Sequence, residues 1–119
     1  MSNEELVSLS SVELRRRIGT KEISPVELLE ACLDRIEEVN PAVNAVTAMS
    51  VKRARQEAKA AEAAVRRGEE LPLLHGLPAG IKDLEETKDL LTTYGSPLYR
   101  DFVPNYDNCL LYTSDAADE

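Results

Sequence analysis

The chain has no tryptophan, one phenylalanine and four tyrosines among its 119 residues, so any core must be built from aliphatic side chains and alanine. Its two cysteines, Cys32 and Cys109, have neither the spacing of a metal site nor the number that a disulfide framework needs. No apolar run approaches the ~20 residues of a membrane span, and the start MSNEELVSLS lacks the basic region of a secretory signal. We therefore expect a reducing, cytoplasmic setting and no membrane partner.

Basic residues are also scarce. The sequence contains 14 lysines and arginines against 22 acidic residues, which gives a formal net charge of −8. Nucleic-acid surfaces need a basic patch that releases counterions from phosphates. We therefore expect no direct nucleic-acid partner.

The first half of the sequence carries helical periodicity. SVELRRRIGT, from Ser11 to a stop at Gly19, predicts a short amphipathic helix. In ISPVELLEACLDRIEEVNP, Ser24 has the position of an N-cap, with Pro25 at the first helical position and Glu27 completing a capping box. Val26, Leu29, Leu33 and Ile36 recur at helical spacing and form its apolar face, and Asn40-Pro41 predicts the end of this second helix.

Two further elements follow in the same region. Val43 to Met49 alternates loosely enough to predict a short strand. The alanine-rich run from Ser50 to Arg67 predicts a helix that Gly68 closes. Its charged side chains are expected to form a solvated face.

A change in composition to leucine, proline and glycine then introduces HGLPAGIKD, residues 75–83. Alternation around Ile81 predicts a strand, and Gly80 would clear one face of it for Lys82. A lysine held in apolar surroundings has a lowered pKa and can serve as a general base. Most lysines beside an aspartate are exposed or paired, so a surface role for Lys82 stays open on the residues alone.

The order of these elements, ending in LLHGLPAGIKDLEETKDLLTTYGSPLYRDFVP, resembles the start of the amidase signature family over residues 8 to 108. The most specific parts are the H-G-L-P-x-x-I-K-D core and the later T-T-x-G-S-P. The resemblance implies an α/β fold, a large mixed sheet wrapped by helices. Residues 1–108 would supply only its N-terminal helices and first strands, so this is an incomplete domain in which the segment around Ile81 is poorly supported.

The same resemblance implies a chemistry. Members are serine hydrolases that cleave carboxamide C–N bonds through a Ser–cis-Ser–Lys triad, and the motif assigns the triad lysine to Lys82. A neutral amine there would take a proton from the bridging serine, which activates the nucleophilic serine. The resemblance implies a small-molecule amide as the substrate and neither a cofactor nor a metal ion. A homodimer of the full-length protein from which this chain would derive is left open.

This sequence departs from the family pattern because no serine- and glycine-rich segment follows Lys82. Ser96 lies in Gly95-Ser96-Pro97, which predicts a turn, and Ser114 also lacks the expected setting. His75 is expected to have a packing or hydrogen-bonding role, and Asp83 to orient or pair with its surroundings, with an effect on Lys82. The chain alone is therefore predicted to be inactive.

Residues 109–119, CLLYTSDAADE, follow abruptly and have neither helical nor strand periodicity. They resemble the translation of a transposase sequencing adapter, and we interpret them as a non-native tail after about Asn108. A natural acidic tail is the alternative.

Two rival functions remain open on the residues alone. Within the family, the chain could derive from the A subunit of a glutamyl/aspartyl-tRNA amidotransferase, which hydrolyses glutamine, although LEETKDLLTTYGSPLYRDFVP is nearer to stand-alone amidases. A non-catalytic helical interaction module would explain the capped helices and the acidic charge, but not the Lys82 stretch. A serine- and glycine-rich loop encoded beyond Asn108 would favour the hydrolase over the module.

Overall fold

The computed structural model describes residues 1–111, in which the chain divides into two units, Met1–Pro78 and a second that begins at Ala79. The first unit is helical. Its elements are α1 (Asn3–Val7), α2 (Ser11–Gly19), α3 (Pro25–Val43) and α4 (Val51–Arg66).

The helix starts follow from side-chain capping. Ser24 Oγ accepts the amide of Glu27 at 3.0 Å, and the Glu27 carboxylate accepts the amide of Ser24 at 3.3 Å, so the predicted capping box is confirmed. The same S-x-x-E pattern starts α1, where Ser2 Oγ accepts the Glu5 amide at 3.2 Å. Reciprocal bonds of this kind satisfy amide groups that have no partner inside the helix.

The predicted end of α3 is wrong. The helix continues through Pro41 to Val43 and ends at Asn44, which has a left-handed φ of 48°. Pro41 lies in the last turn, so its missing amide removes a hydrogen bond only there. Asparagine tolerates the left-handed conformation well, which makes Asn44 a suitable residue to stop the helix.

The strand predicted from Val43 to Met49 is also absent from the described chain. The side-chain amide of Asn40 donates to the carbonyl of Val46 and accepts its amide, each at 2.9 Å. A side chain therefore satisfies the backbone groups that a neighbouring strand would otherwise bind.

The core of the first unit is aliphatic, as its composition predicts. Ile18 on α2 is fully buried, and Leu28 and Ala31 on α3 are each 1% exposed. Leu29 is buried as well, but Leu33 and Ile36, which belong to the predicted apolar face of α3, are only partly covered. Within residues 1–111, the buried cluster consists of Leu6, Leu14, Ile18, Ile23, Leu28, Ala31 and Val65.

After α4 the chain returns to α2 through residues 71–77, which we call the return segment. The Arg15 guanidinium of α2 donates to the carbonyl of Pro72 at 2.9 and 3.0 Å and to that of Leu71 at 3.2 Å. Leu71 and Leu77 pack against the buried cluster. The return segment is thus held to α2 by both hydrogen bonds and apolar contact.

The second unit is built from turns rather than from strands in the described range. The amide of Glu85 donates to the carbonyl of Lys82 at 3.0 Å, and a short 3-10 helix covers Pro97–Tyr99. The predicted strand around Ile81 is therefore not formed in residues 79–111. A strand needs neighbouring backbone to bind its amides and carbonyls, and among the described residues the backbone of 79–84 forms no such ladder of hydrogen bonds.

Within residues 1–111, no helix combines the length and the apolar character that crossing a membrane requires. All but the first three residues of the segment interpreted as a non-native tail lie outside the described residues, and Ser114 lies there too.

Candidate functional site

The HGLPAGIKD stretch crosses from the first unit to the second at Pro78. In the first unit, His75 is half-buried, and its Nε2 lies 2.9 Å from the carbonyl oxygen of Ala61 on α4. The predicted hydrogen-bonding role of His75 is confirmed. Its nitrogen donates to a helix carbonyl when it carries the proton.

Gly76 explains why the motif has glycine beside the histidine. Its φ is +79°, and a Cβ at this position would lie 2.9 Å from Pro25 Cγ and 3.2 Å from Ile18 Cδ1. Any side chain would therefore collide with the first turn of α3 and with the centre of the core. Glycine is also the residue that adopts this conformation without a steric cost.

We expect Gly76→Ala to lower the free energy of unfolding by more than Gly68→Ala. Gly68 has a similar φ of +73°, but a Cβ there would meet no atom within 4 Å. Both substitutions force an unfavourable left-handed conformation, at about 1–3 kcal/mol, and only Gly76→Ala adds the collision. Urea denaturation followed by circular dichroism measures the difference, and equal losses would contradict close packing at Gly76.

The structure does not bury Lys82 in apolar surroundings. Its side chain is exposed, and the neighbouring Ile81 is 45% exposed. A Cβ at Gly80 would meet no atom within 4 Å, so no part of the described chain covers the space that this glycine leaves. The predicted desolvated setting of Lys82 is therefore not formed by residues 1–111.

Asp83, by contrast, is bound firmly to a residue ten positions later. Its Oδ1 accepts the amide of Thr93 at 2.8 Å, and its Oδ2 accepts the hydroxyl of the same Thr93. The hydroxyl and amide of Thr93 therefore hold both carboxylate oxygens. Through this pair the structure brings together the two motifs that carry the family resemblance.

These bonds hold the pKa of Asp83 below its usual value, chiefly through the Thr93 hydroxyl and then through the Thr93 amide. Hydrogen bonds to the ionised carboxylate favour that form. Because the folded pKa is the lower one, the stabilisation is present above the unfolded pKa and is lost as the pH falls through the folded pKa.

A second link joins the same two parts of the chain. The Tyr94 hydroxyl donates to Glu86 Oε1 at 2.8 Å. The pKa of Tyr94 is raised to about 12, mainly by partial burial and secondly by this hydrogen bond. The Tyr94 ring lies 5.0 Å from that of Tyr99 and 6.0 Å from that of Phe102, centre to centre. Three of the four aromatic residues in the part of the chain that the structure describes thus lie together at the threonine motif.

Ser96 has the structural role that its neighbours predict. Gly95 has a φ of +70°, and the Ser96 hydroxyl accepts the amide of Leu98 at 3.3 Å, which starts the 3-10 helix. Serine and threonine hydroxyls commonly close turns in this way. Sequence reasoning missed Thr93 as a partner of Asp83, although Thr93 belongs to the T-T-x-G-S-P motif.

No group of three or more His, Cys, Asp or Glu side chains that could hold a metal ion occurs in residues 1–111. Cys32 is a free cysteine, and burial raises the pKa of its thiol.

The arrangement can be compared with known proteins. A family model described as Amidase matches residues 27–114, which include the whole HGLPAGIKD stretch and Thr93.

This chain belongs to the amidase family. The family match reaches into residues 109–119, and the interpretation of that segment as a non-native tail stays a prediction.

Curated relatives of this amidase-family chain include the A subunit of glutamyl-tRNA(Gln) amidotransferase from Neorickettsia sennetsu, which is 39% identical over 104 residues. The match covers 87% of this chain and 22% of that protein. The same enzyme's A subunit from Azoarcus sp. is 43% identical over 102 residues, with 86% of this chain and 21% of the relative covered. The chain thus spans about a fifth of the length of these relatives.

Solved structures match as well. One belongs to a vestigial protein complex that reveals the evolutionary origins of an s-triazine catabolic enzyme. It has a TM-score of 0.87 at 32% identity and covers 92% of this chain and 24% of that one. Another is a bacterial aryl acylamidase of the amidase signature enzymes, with a TM-score of 0.83 at 27% identity. That match covers 93% of this chain and 24% of the acylamidase chain. The amidase-signature resemblance is therefore confirmed, whereas the expected sheet does not form within residues 1–111.

Proposed function

We propose that this chain is the N-terminal part of an amide hydrolase, hereafter the parent protein, and that Lys82 is its proton-accepting lysine. The observation that carries this proposal is the amidase-family match across residues 27–114, which includes the HGLPAGIKD motif. The nucleophilic and bridging serines would come from a serine- and glycine-rich segment of the parent protein that these 119 residues do not contain.

In the proposed reaction, neutral Lys82 accepts a proton from the bridging serine, and that serine accepts the proton of the nucleophilic serine. The nucleophile attacks the amide carbon to form a tetrahedral oxyanion, which backbone amides stabilise. The C–N bond then breaks as the returning proton passes to the leaving nitrogen, which departs as ammonia or an amine. Water hydrolyses the acyl-enzyme by the same relay and releases the acid.

A lysine becomes a neutral base most readily where less polar surroundings disfavour its charged form, and residues 1–111 leave the Lys82 side chain exposed. The proposed function therefore requires that the rest of the parent protein covers Lys82. In that arrangement Gly80 leaves room for a covering segment, as the sequence pattern predicts.

A second candidate is glutamine hydrolysis as part of a tRNA-dependent amidotransferase. It is favoured by the names of the two curated relatives described above, which are A subunits of glutamyl-tRNA(Gln) amidotransferase. The chemistry at Lys82 would be the same, with glutamine as the amide and ammonia as the released product.

Cytoplasmic localisation and a homodimeric parent protein are further proposals, of which the first rests on the cysteine usage.

The decisive experiment compares substrates for the purified parent protein. Release of an aniline from an aryl acylamide supports a stand-alone amidase, whereas glutamate formed from glutamine, with aryl amides untouched, supports the amidotransferase component. The absence of both activities, in a protein that unfolds cooperatively, would contradict the proposed function and favour the interaction module.

The 119-residue chain itself is expected to release no ammonia or amine from either substrate above a buffer blank. Lys82 without the two serines cannot form an acyl-enzyme. A continuous assay of amine release checks this. Turnover that Lys82→Ala abolishes would contradict it and would require the nucleophile to lie within these 119 residues.

A further inference from the structure

We propose that Asp83 is a positioning residue: by binding Thr93 it fixes the backbone of the adjacent Lys82 for catalysis. This inference rests on the proposed role of Lys82. It adds two residues, Asp83 and Thr93, to which that function assigns no part.

The contact between them is a two-point clamp. One carboxylate oxygen accepts the Thr93 amide at 2.8 Å, and the other accepts the Thr93 hydroxyl. Two bonds between the same pair of residues restrict rotation of the carboxylate more than one bond would. Charge-assisted hydrogen bonds are also shorter and stronger than neutral ones.

The clamp continues into the following turn. Thr93 Oγ1, which donates to Asp83, also accepts the amide of Gly95 at 3.3 Å. The carbonyl of Thr93 accepts the amide of Ser96 at 2.9 Å. Asp83 is therefore joined to the Gly95-Ser96 turn through a single threonine.

Two backbone hydrogen bonds also fix the chain at Lys82 and just after it. The carbonyl of Lys82 accepts the Glu85 amide at 3.0 Å, and the carbonyl of Glu86 accepts the amide of Asn108 at 2.9 Å. The turn that begins at Lys82 thus has fixed points at Asp83 and at Glu86. Of the two, Asp83 is covalently adjacent to Lys82, so loss of the clamp would act on the lysine directly.

Misplacing a catalytic group by about 1 Å can lower turnover by about 10²-fold, although the group itself is intact. Loss of the clamp should therefore lower kcat while KM stays nearly constant, because substrate contacts are unchanged. A substitution that merely destabilised the fold would instead lower the concentration of active enzyme and the melting temperature.

The test uses the parent protein with the variants Asp83→Asn, Thr93→Val and Thr93→Ser. Asp83→Asn replaces one accepting oxygen with an amide donor, and Thr93→Val removes the hydroxyl at nearly constant volume. We expect kcat to fall between about 10- and 100-fold in both, with KM within about threefold of wild type. Thr93→Ser keeps the hydroxyl and should retain most of the activity.

The double variant Asp83→Asn/Thr93→Val should be no worse than the poorer single variant, since both remove the same interaction. Asp107→Asn is the matched control, because Asp107 Oδ1 accepts the amide of Lys88 at 2.7 Å, a carboxylate–amide bond to a residue that is not adjacent to Lys82 in the sequence. It should stay within twofold of wild type.

A readout without catalysis uses the 119-residue chain. In Asp83→Ala we expect the Thr93 amide to exchange its hydrogen at least tenfold faster, while the amide of Leu28 in α3 is unchanged. Unchanged exchange at Thr93 would overturn the clamp.

The outcomes separate the two proposals. Wild-type turnover in Asp83→Asn beside an inactive Lys82→Ala would overturn the positioning role and leave the proposed function standing. Full activity in Lys82→Ala would overturn both. Multiplicative losses in the double variant would also overturn the clamp as a single unit.

Discussion

Lys82→Ala in the parent protein is expected to lower kcat/KM by about 10³-fold, within the range of about 10²–10⁴-fold that a positioned base contributes. The reason is that the bridging serine would lose the group that accepts its proton. Binding contacts elsewhere cannot restore that loss, because it falls on the transition state. Initial rates over a range of amide concentrations measure it.

Two variants sharpen this result. Lys82→Arg should be as inactive as Lys82→Ala, because a guanidinium stays protonated and cannot act as a base. Lys88→Ala, which removes another exposed lysine of the second unit, should stay within twofold of wild type. A Lys82→Ala enzyme within a few-fold of wild type would mean that the lysine is structural.

Ile18→Ala is expected to lower the free energy of unfolding of the 119-residue chain by about 2–5 kcal/mol, the usual cost of truncating a buried isoleucine. Ile18 is 0% exposed, at the centre of the cluster that α2, α3 and the return segment share. Loss of its side chain leaves a cavity that the surrounding helices can fill only in part. Urea denaturation monitored by circular dichroism at the helical band measures the change.

Val12→Ala is the matched control. Val12 lies on the same helix and is also a branched aliphatic residue, but it is 82% exposed. It should change stability by less than about 0.5 kcal/mol. If Ile18→Ala leaves no folded baseline, Ile18→Val should cost about 0.5–1.5 kcal/mol. Equal effects at positions 12 and 18 would contradict a core centred on Ile18.

Features encoded locally were predicted well. The start of α3 follows from Ser24 and Glu27, because a capping box needs residues only three apart. The same rule applied to Ser2 would have found α1, which was missed. The end of α3 was predicted wrongly because proline in the last turn costs less than proline in a helix interior.

Features that depend on one particular side-chain contact were not predicted. Asn40 satisfies the backbone at Val46 and so replaces a strand, and no propensity scale contains that contact. In the candidate site, the motif predicted Lys82 and a structural Ser96, but the bond from Asp83 to Thr93 joins residues ten apart. The exposure of Lys82 depends on what covers it, which composition and periodicity do not encode.

The return segment has a consequence for synthesis on the ribosome. Gly76 lies against Ile18 and Leu77 packs against the same buried cluster, but the ribosome adds both residues long after α2. At about 5–20 residues per second, roughly 3 to 12 seconds separate the synthesis of Gly19 from that of Leu77. During that interval the nascent helices present an open apolar face, so we expect chaperones that bind nascent chains to engage α2 and to be released once residue 77 has emerged.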